Sequence, residues 1–232
     1  IRPNYELALA YYEVGASVGQ VDCMCSYGHL LIKCAIERLS NIAAGYSRNE
    51  IEDRELATPA DLASYDIDVR QGAFWLRTAA NSGSSQASYQ LGRAYEQGVG
   101  VPKDMHSALE MYSYAVESAE NTSFGNCLLS DPKNLRVNAC YSAANVLYSG
   151  IGAGVPTLSQ VARACGYYYE AASEGHAAAQ NAMALLLEDG RGASFYIQKY
   201  NSNSKASIGT GIQGSMSYTF SENEKIRLEV LS

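Results

Sequence analysis

Three histidines and six cysteines are the side chains with which this 232-residue chain could hold a metal or attack a substrate. His29 stands four residues after Cys25, one turn along a predicted helix, a spacing that could make a Cys/His metal pair. No third ligand stands near them, and no metal site is expected there. His106 falls at an exposed place in the first turn of a predicted helix. His176 follows Gly175 in a turn between helices, where a structural role is expected. Cys23-Met24-Cys25 has the wrong spacing for a CxxC redox or zinc motif. Cys23 and Cys34 share a predicted helix, where eleven residues at about 1.5 Å each hold them roughly 16 Å apart. A disulfide needs Cα atoms within about 7 Å. With Cys127, Cys140 and Cys165 irregularly spaced, free thiols are expected. Gly98-Val99-Gly100 follows a helix rather than a strand, with no Gly-Lys-Ser/Thr after it, so it reads as a turn and not a phosphate loop. No nucleophile elbow is present, and periodicity sets no two carboxylates opposite each other across a cleft. The expectation is therefore no catalytic residue, no cofactor and no metal.

The elements that position these residues come from an internal repeat. Trp75-Leu76-Arg77-Thr78-Ala79-Ala80-Asn81-Ser82-Gly83 lies over Tyr167-Tyr168-Tyr169-Glu170-Ala171-Ala172-Ser173-Glu174-Gly175. A third copy begins at Tyr11, and a weaker fourth runs from Met111 through Ala115-Val116 to Ala119. Gly83 to Ala119 is 36 residues, and Ala119 to Gly175 is 56, one period plus 20 inserted. A second pattern starts eight residues further on: Leu91-Gly92, then Tyr95, then Gly98-Val99-Gly100. Ala143-Ala144 with Gly150-Ile151-Gly152, and Met183-Ala184 with Gly190-Arg191-Gly192, repeat it. Tyr27-Gly28 begins it again without the Gly-x-Gly.

Each unit thus predicts two amphipathic helices. Ala87, Leu91 and Tyr95 recur every four residues as one stripe, and Ala108, Met111, Tyr112 and Ala115 form the return stripe. Gly92 removes a side chain where a neighbouring helix comes close, at a cost of roughly 1 kcal/mol in helix propensity. Gly98 and Gly100 end the first helix, and Asp104 caps the second. Neither helix buries its stripe alone, so the units must stack.

The segment Gln86–Ala119 resembles a Sel-one-like repeat, a relative of the tetratricopeptide repeat. The pattern A-x3-LG-x2-Y-x2-G-x-GV-x2-D-x3-A is met at Ala87, Leu91, Gly92, Tyr95, Gly98, Gly100, Val101, Asp104 and Ala108. The resemblance covers residues 4–192. It implies an all-α fold: a right-handed superhelical α-solenoid of about three helical hairpins plus partial ends. Some cysteine-rich relatives are linked to β-lactam binding or hydrolysis through a cysteine pair in every unit. Here Cys140 matches the first position but Ala172 holds the second, so that activity is not carried over.

Two segments interrupt the solenoid. Residues 36–68 extend a first helix, then run through the mixed charges of Arg48–Glu55 as a solvated face or loop, with Pro59 marking a break. Residues 121–135 read as a loop between helices, and contain the sequon Asn121-Thr122-Ser123. The segment Ile151–Ser159 lengthens a hairpin turn. Of 32 alanines, 30 precede Ala193. Residues 193–232 accordingly read as an arm of different character, with a flexible connection over 200–214 and a β-hairpin over 215–231, whose residues alternate polar and apolar.

Composition narrows the function. The chain carries 24 acidic and 17 basic residues, a formal charge of −7, and its six lysines stand singly. Nucleic-acid binding needs clustered Lys and Arg, so no nucleic acid is expected. No apolar run reaches the roughly 18 residues of a membrane helix, so no membrane insertion is expected. In solenoids of helical hairpins the first helix of each unit lines a concave face. Aligning the units puts Tyr89 with Tyr141, Arg93 with Asn145, and Glu96 with Tyr148 and Glu188, all off the core stripe. Tyrosine and arginine are residues that interfaces favour. The expected function is a non-catalytic interaction scaffold. Its partners would be other protein subunits, bound through this face and the C-terminal arm. A supernumerary subunit of a mitochondrial or other organellar complex is one form, an adaptor another. The alternative is a secreted or periplasmic hydrolase or ligand-binding protein. Truncating the chain at Gly192 and comparing captured proteins by mass spectrometry tests the arm. Partners should be lost, and an unchanged set would show that the arm does not dock.

Overall fold

A computed structural model describes residues 3–45, 58–121, 132–151 and 154–190. Among these residues every regular element is a helix: α1 (Tyr5–Ser17), α2 (Val21–Gly45), α3 (Pro59–Asn81), α4 (Ser85–Gln97), α5 (Met105–Asn121), α6 (Pro132–Tyr148), α7 (Leu158–Ser173) and α8 (Ala177–Glu188). Each packs against the next in sequence. Among the described residues the complete units are α2–α3, α4–α5 and α6–α7; α1, placed as a second helix, precedes them and α8, placed as a first helix, follows them. The first helices α2, α4 and α6 also touch one another, forming one continuous layer. The fold is an all-α solenoid.

Local chemistry sets the helix boundaries. The Thr58 hydroxyl accepts from the Asp61 backbone N–H at 3.2 Å, and the Asp61 carboxylate accepts from the Thr58 N–H at 3.0 Å. This reciprocal cap satisfies two donors that a helix start leaves open, and holds the Asp61 carboxyl below its usual range. Thr157 and Gln160 repeat the device at α7. Asp104 caps α5 as its position predicts, accepting from the His106 N–H at 2.9 Å and the Ser107 hydroxyl at 2.6 Å. At the other end of α4, Gly98 takes a left-handed conformation, φ +75°. Gly100 has a second role. A Cβ there would collide with the Val69 carbonyl oxygen, so the turn of one unit lies directly on α3 of the unit before.

Helices of a pair cross at their smallest residues. A Cβ on Gly28 would come within 2.6 Å of the Gly72 carbonyl oxygen, and one on Gly72 within 2.8 Å of the Gly28 oxygen. In α4 a Cβ on Gly92 would meet the Tyr112 ring at 2.7 Å and the Ala108 oxygen at 3.3 Å. The core follows from this spacing. Ala87, Ala108, Ala115, Ala139, Ala143, Ala144, Ala164, Ala171 and Ala179 are fully buried. One cluster of buried residues spans α1 to α4 and a second spans α5 to α8, and Tyr95 packs against both.

Two expected boundaries change. Pro59 does not break a segment but opens α3 at its first position, where its missing N–H costs nothing. Ten residues assigned to the 36–68 insertion, 59–68, are therefore helix, an N-terminal extension of the second helix. Likewise Pro132 to Leu135 belong to α6 rather than to a loop. The stretch Arg48–Glu55, most of 121–135, and the entire arm with its 215–231 hairpin lie outside the described residues. Substituting Gly28→Ala tests the close crossing by sign. Helix propensity alone would raise stability by about 1 kcal/mol. Overpacking against a backbone oxygen should instead lower it by about 1–3 kcal/mol in urea denaturation, and a gain would contradict the crossing.

Candidate interaction surface

Six of the seven residues assigned to the interaction face lie on α4 and α6, and the seventh, Glu188, is exposed at the end of α8. Arg93 is exposed, whereas Tyr89, Glu96, Tyr141, Asn145 and Tyr148 are half-buried. Several owe this to the second helix of their own unit. The Tyr112 hydroxyl donates to the Glu96 carboxylate at 2.6 Å, and the Tyr89 and Tyr112 rings lie 5.7 Å apart. In the next unit the aligned Tyr168 donates to the Asn145 side-chain oxygen at 2.6 Å, with the Tyr141 ring 6.0 Å away. Burial, then the Glu96 carboxylate, push the Tyr112 hydroxyl far above the ordinary tyrosine range. Burial and the neighbouring Tyr141 and Tyr148 do the same to Tyr168. Both hydroxyls are thus fixed donors. Tyr89 and Tyr141 hold equivalent positions on successive first helices, and each is backed by an aligned tyrosine.

His176 does what its turn position predicts. Its Nδ1 accepts from the Ala179 N–H at 3.1 Å and caps α8, while its ring lies 4.5 Å from Tyr141. His29, aligned with Arg93 in the next unit, faces α4, where it hydrogen-bonds to Gln90 and feels the Arg93 charge. Sequence spacing missed this contact between first helices, although the shared register of His29 and Arg93 was its signal. Burial first, then Arg93 and Lys33, hold the His29 pKa below its usual value of 6.5.

Further polar pairs join α6 to α7 and its C-cap. Arg136 reaches Glu170 at 3.0 Å, and Lys133 reaches Glu174 at 2.8 Å. The buried Cys140 thiol donates to the same Glu170 carboxylate at 3.6 Å. Among the described residues, Cys23, Cys25, Cys34, Cys140 and Cys165 form no disulfide with one another; Cys127 lies outside them. No three His, Cys, Asp or Glu side chains of the described residues converge on a metal position, and no described helix is long and apolar enough to cross a membrane. The hollow between α2 and α3, beside Arg38, Asp61 and Tyr65, measures about 50 Å³. Ligand pockets take roughly 300 Å³ or more.

With this arrangement in view, a family model described as Sel1 repeat matches residues 1–19, 65–84, 85–119, 137–176 and 177–195, more than half of the chain. The matches fall on α1, on most of α3, on α4–α5 and α6–α7, and on α8. Among solved structures, the Sel1 repeat protein from Oxalobacter formigenes is 22% identical over 58% of this chain and 54% of its own, with a TM-score of 0.41. A protective antigen from uropathogenic Escherichia coli strains, displaying an SLR fold, is 18% identical over 92% of this chain and 45% of its own, with a TM-score of 0.43. The chain spans about half the length of each. No curated protein matches it.

The lowered pKa of His29 gives a testable pH dependence. As pH falls, the unfolded chain takes up this proton first, near 6.5. The contribution of His29 is therefore complete above that value and is lost as pH falls through the lower folded-state pKa. His29→Gln removes this part of the loss, so stability between about pH 7 and pH 5 should fall less steeply in the variant. Identical slopes in urea melts would contradict the half-buried, cation-flanked setting of His29.

Proposed function

Because this chain belongs to the Sel1 repeat family, whose repeats form a scaffold for protein interaction, we propose that it is a non-catalytic subunit or adaptor of a larger multiprotein assembly. The binding face in this reading is the concave side of the first-helix layer, with Tyr89, Arg93 and Glu96 on α4, Tyr141, Asn145 and Tyr148 on α6, and Glu188 on α8. The observation that carries it is the tyrosine pair at equivalent positions, Tyr89 over Tyr112 and Tyr141 over Tyr168. Rings already packed from behind lose little freedom when a partner covers their remaining face, so more of the contact energy appears as affinity. Arg93, exposed one helical turn beyond Tyr89 on α4, adds a charged anchor. The arm over 193–232 is the second docking element of the proposal.

Exposed positions give the cleanest test. Arg93→Glu on the proposed face should weaken capture of partner proteins by about tenfold or more. Glu110→Lys, exposed on α5 away from the first-helix layer, should leave capture unchanged. Equal capture by both variants, quantified by mass spectrometry against the parent chain, would move the binding face elsewhere.

A further inference from the structure

We propose that the seam between α2 and α4 receives an acidic segment of a partner protein, its carboxylates met by Lys33 and Arg93 around His29. This rests on the reading of the first-helix layer as the binding face, and adds the chemistry of what binds there. His29 and Lys33 stand one turn apart on α2, and Gln90 and Arg93 stand on α4, which α2 touches. His29 and Gln90 are half-buried and hydrogen-bonded to each other, whereas Lys33 and Arg93 are exposed. The Tyr5 hydroxyl of α1 lies 3.3 Å from the Lys33 ammonium and helps to place it. Burial disfavours the protonated His29 ring first, and the charges of Arg93 and Lys33 disfavour it further. Both cations thus act on one place, a spot of positive potential that favours an incoming carboxylate.

Charge is divided between the two layers in the same sense. The chain as a whole carries −7. In the three complete units, however, the first helices hold five Lys and Arg against three Asp and Glu, while the second helices hold three against seven. A basic segment would therefore be drawn to the second helices, and an acidic one finds its complement on the first. The acids nearest the seam do not answer its cations. Glu37 meets Lys33 only at 3.8 Å between exposed side chains, a pairing of little worth. Glu96, on α4 beyond Arg93, accepts from the Tyr112 hydroxyl at 2.6 Å. Tyr89, one turn before Arg93, and Tyr141 on the next first helix continue the face past the two cations. That extent suits a stretch of chain rather than a lone anion.

Two double variants, each removing two positive charges at exposed positions, test this. Lys33→Gln with Arg93→Gln strips the seam, and Arg70→Gln with Arg163→Gln strips the second helices of as much charge. Circular dichroism checks that each folds as the parent does. The probe is a short fluorescein-labelled peptide of alternating glutamate and serine, beside its glutamine counterpart, read by fluorescence anisotropy. The parent and the second-helix variant should bind the glutamate peptide about tenfold or more tighter than the glutamine peptide, an advantage that shrinks at high salt. The seam variant should lose that advantage. In the parent, the His29 ring resonances, assigned by their absence from His29→Gln, should titrate at higher pH once the glutamate peptide is bound. A parent that binds both peptides alike overturns the proposal, as does equal loss in both double variants or a His29 titration that the peptide leaves unmoved. The binding face itself fails on a different result, equal partner capture by Arg93→Glu and Glu110→Lys. Capture weakened by Arg93→Glu, with indifference to glutamate, removes the acidic segment and keeps the face.

Discussion

Every hairpin of this solenoid depends on one close crossing between its two helices. In the first unit the backbones meet at Gly28 and Gly72, where a Cβ on either would lie within 3 Å of the other's carbonyl oxygen. In the second unit the pair is Gly92 and Ala108, and in the third the aligned residues are Ala144 and Ala164, both fully buried. The side chains change, but the need for almost no side chain does not. Once two helices are this close, stacking the next pair needs small residues too, which explains the alanine-rich core.

Small residues have a consequence for what must sit around them. A buried methyl contributes about 0.8 kcal/mol, against roughly 1.5–3 kcal/mol for a large apolar side chain. The solenoid makes up the difference with tyrosines one turn from the crossing. Tyr112 and Tyr168 fill the space between the helices, and their hydroxyls bind Glu96 and Asn145 on the opposite helix. Phenylalanine could fill the volume but would leave those acceptors without this donor. The 18 tyrosines against four phenylalanines are consistent with that need. The same contacts hold Tyr89 and Tyr141 at the edge of the first-helix layer, so the packing of the core and the presentation of a face are one arrangement.

The repeat was legible because its chemistry is local and periodic. The stripe Ala87, Leu91, Tyr95, the cap at Asp104, the role of Gly92 and the turn at Gly98 all follow from spacing along one helix or one turn. Contacts between units were not legible in the same way. Gly100 lies against Val69, and His29 against Gln90 and Arg93, because of how one hairpin stacks on the next, and no spacing within a hairpin encodes that offset. The start of α3 was missed for a different reason: Pro59 reads equally as a helix break or a first helical residue, and the Thr58–Asp61 cap decides between them. Of the proposed interaction face, sequence alignment supplied the residues. It did not reveal that Glu96 and Asn145 are already held by tyrosines of their own unit, leaving Arg93 and the outer edges of Tyr89 and Tyr141 as the groups with most to offer a partner.

Hydrogen–deuterium exchange of the 232-residue chain, alone and with a captured partner, tests the central claim most directly. Partner binding should slow exchange in peptides from α4 and α6, with little change in the second helices α5 and α7. Protection confined to α5 and α7, with α4 and α6 exchanging as in the free chain, would contradict a binding face on the first-helix layer.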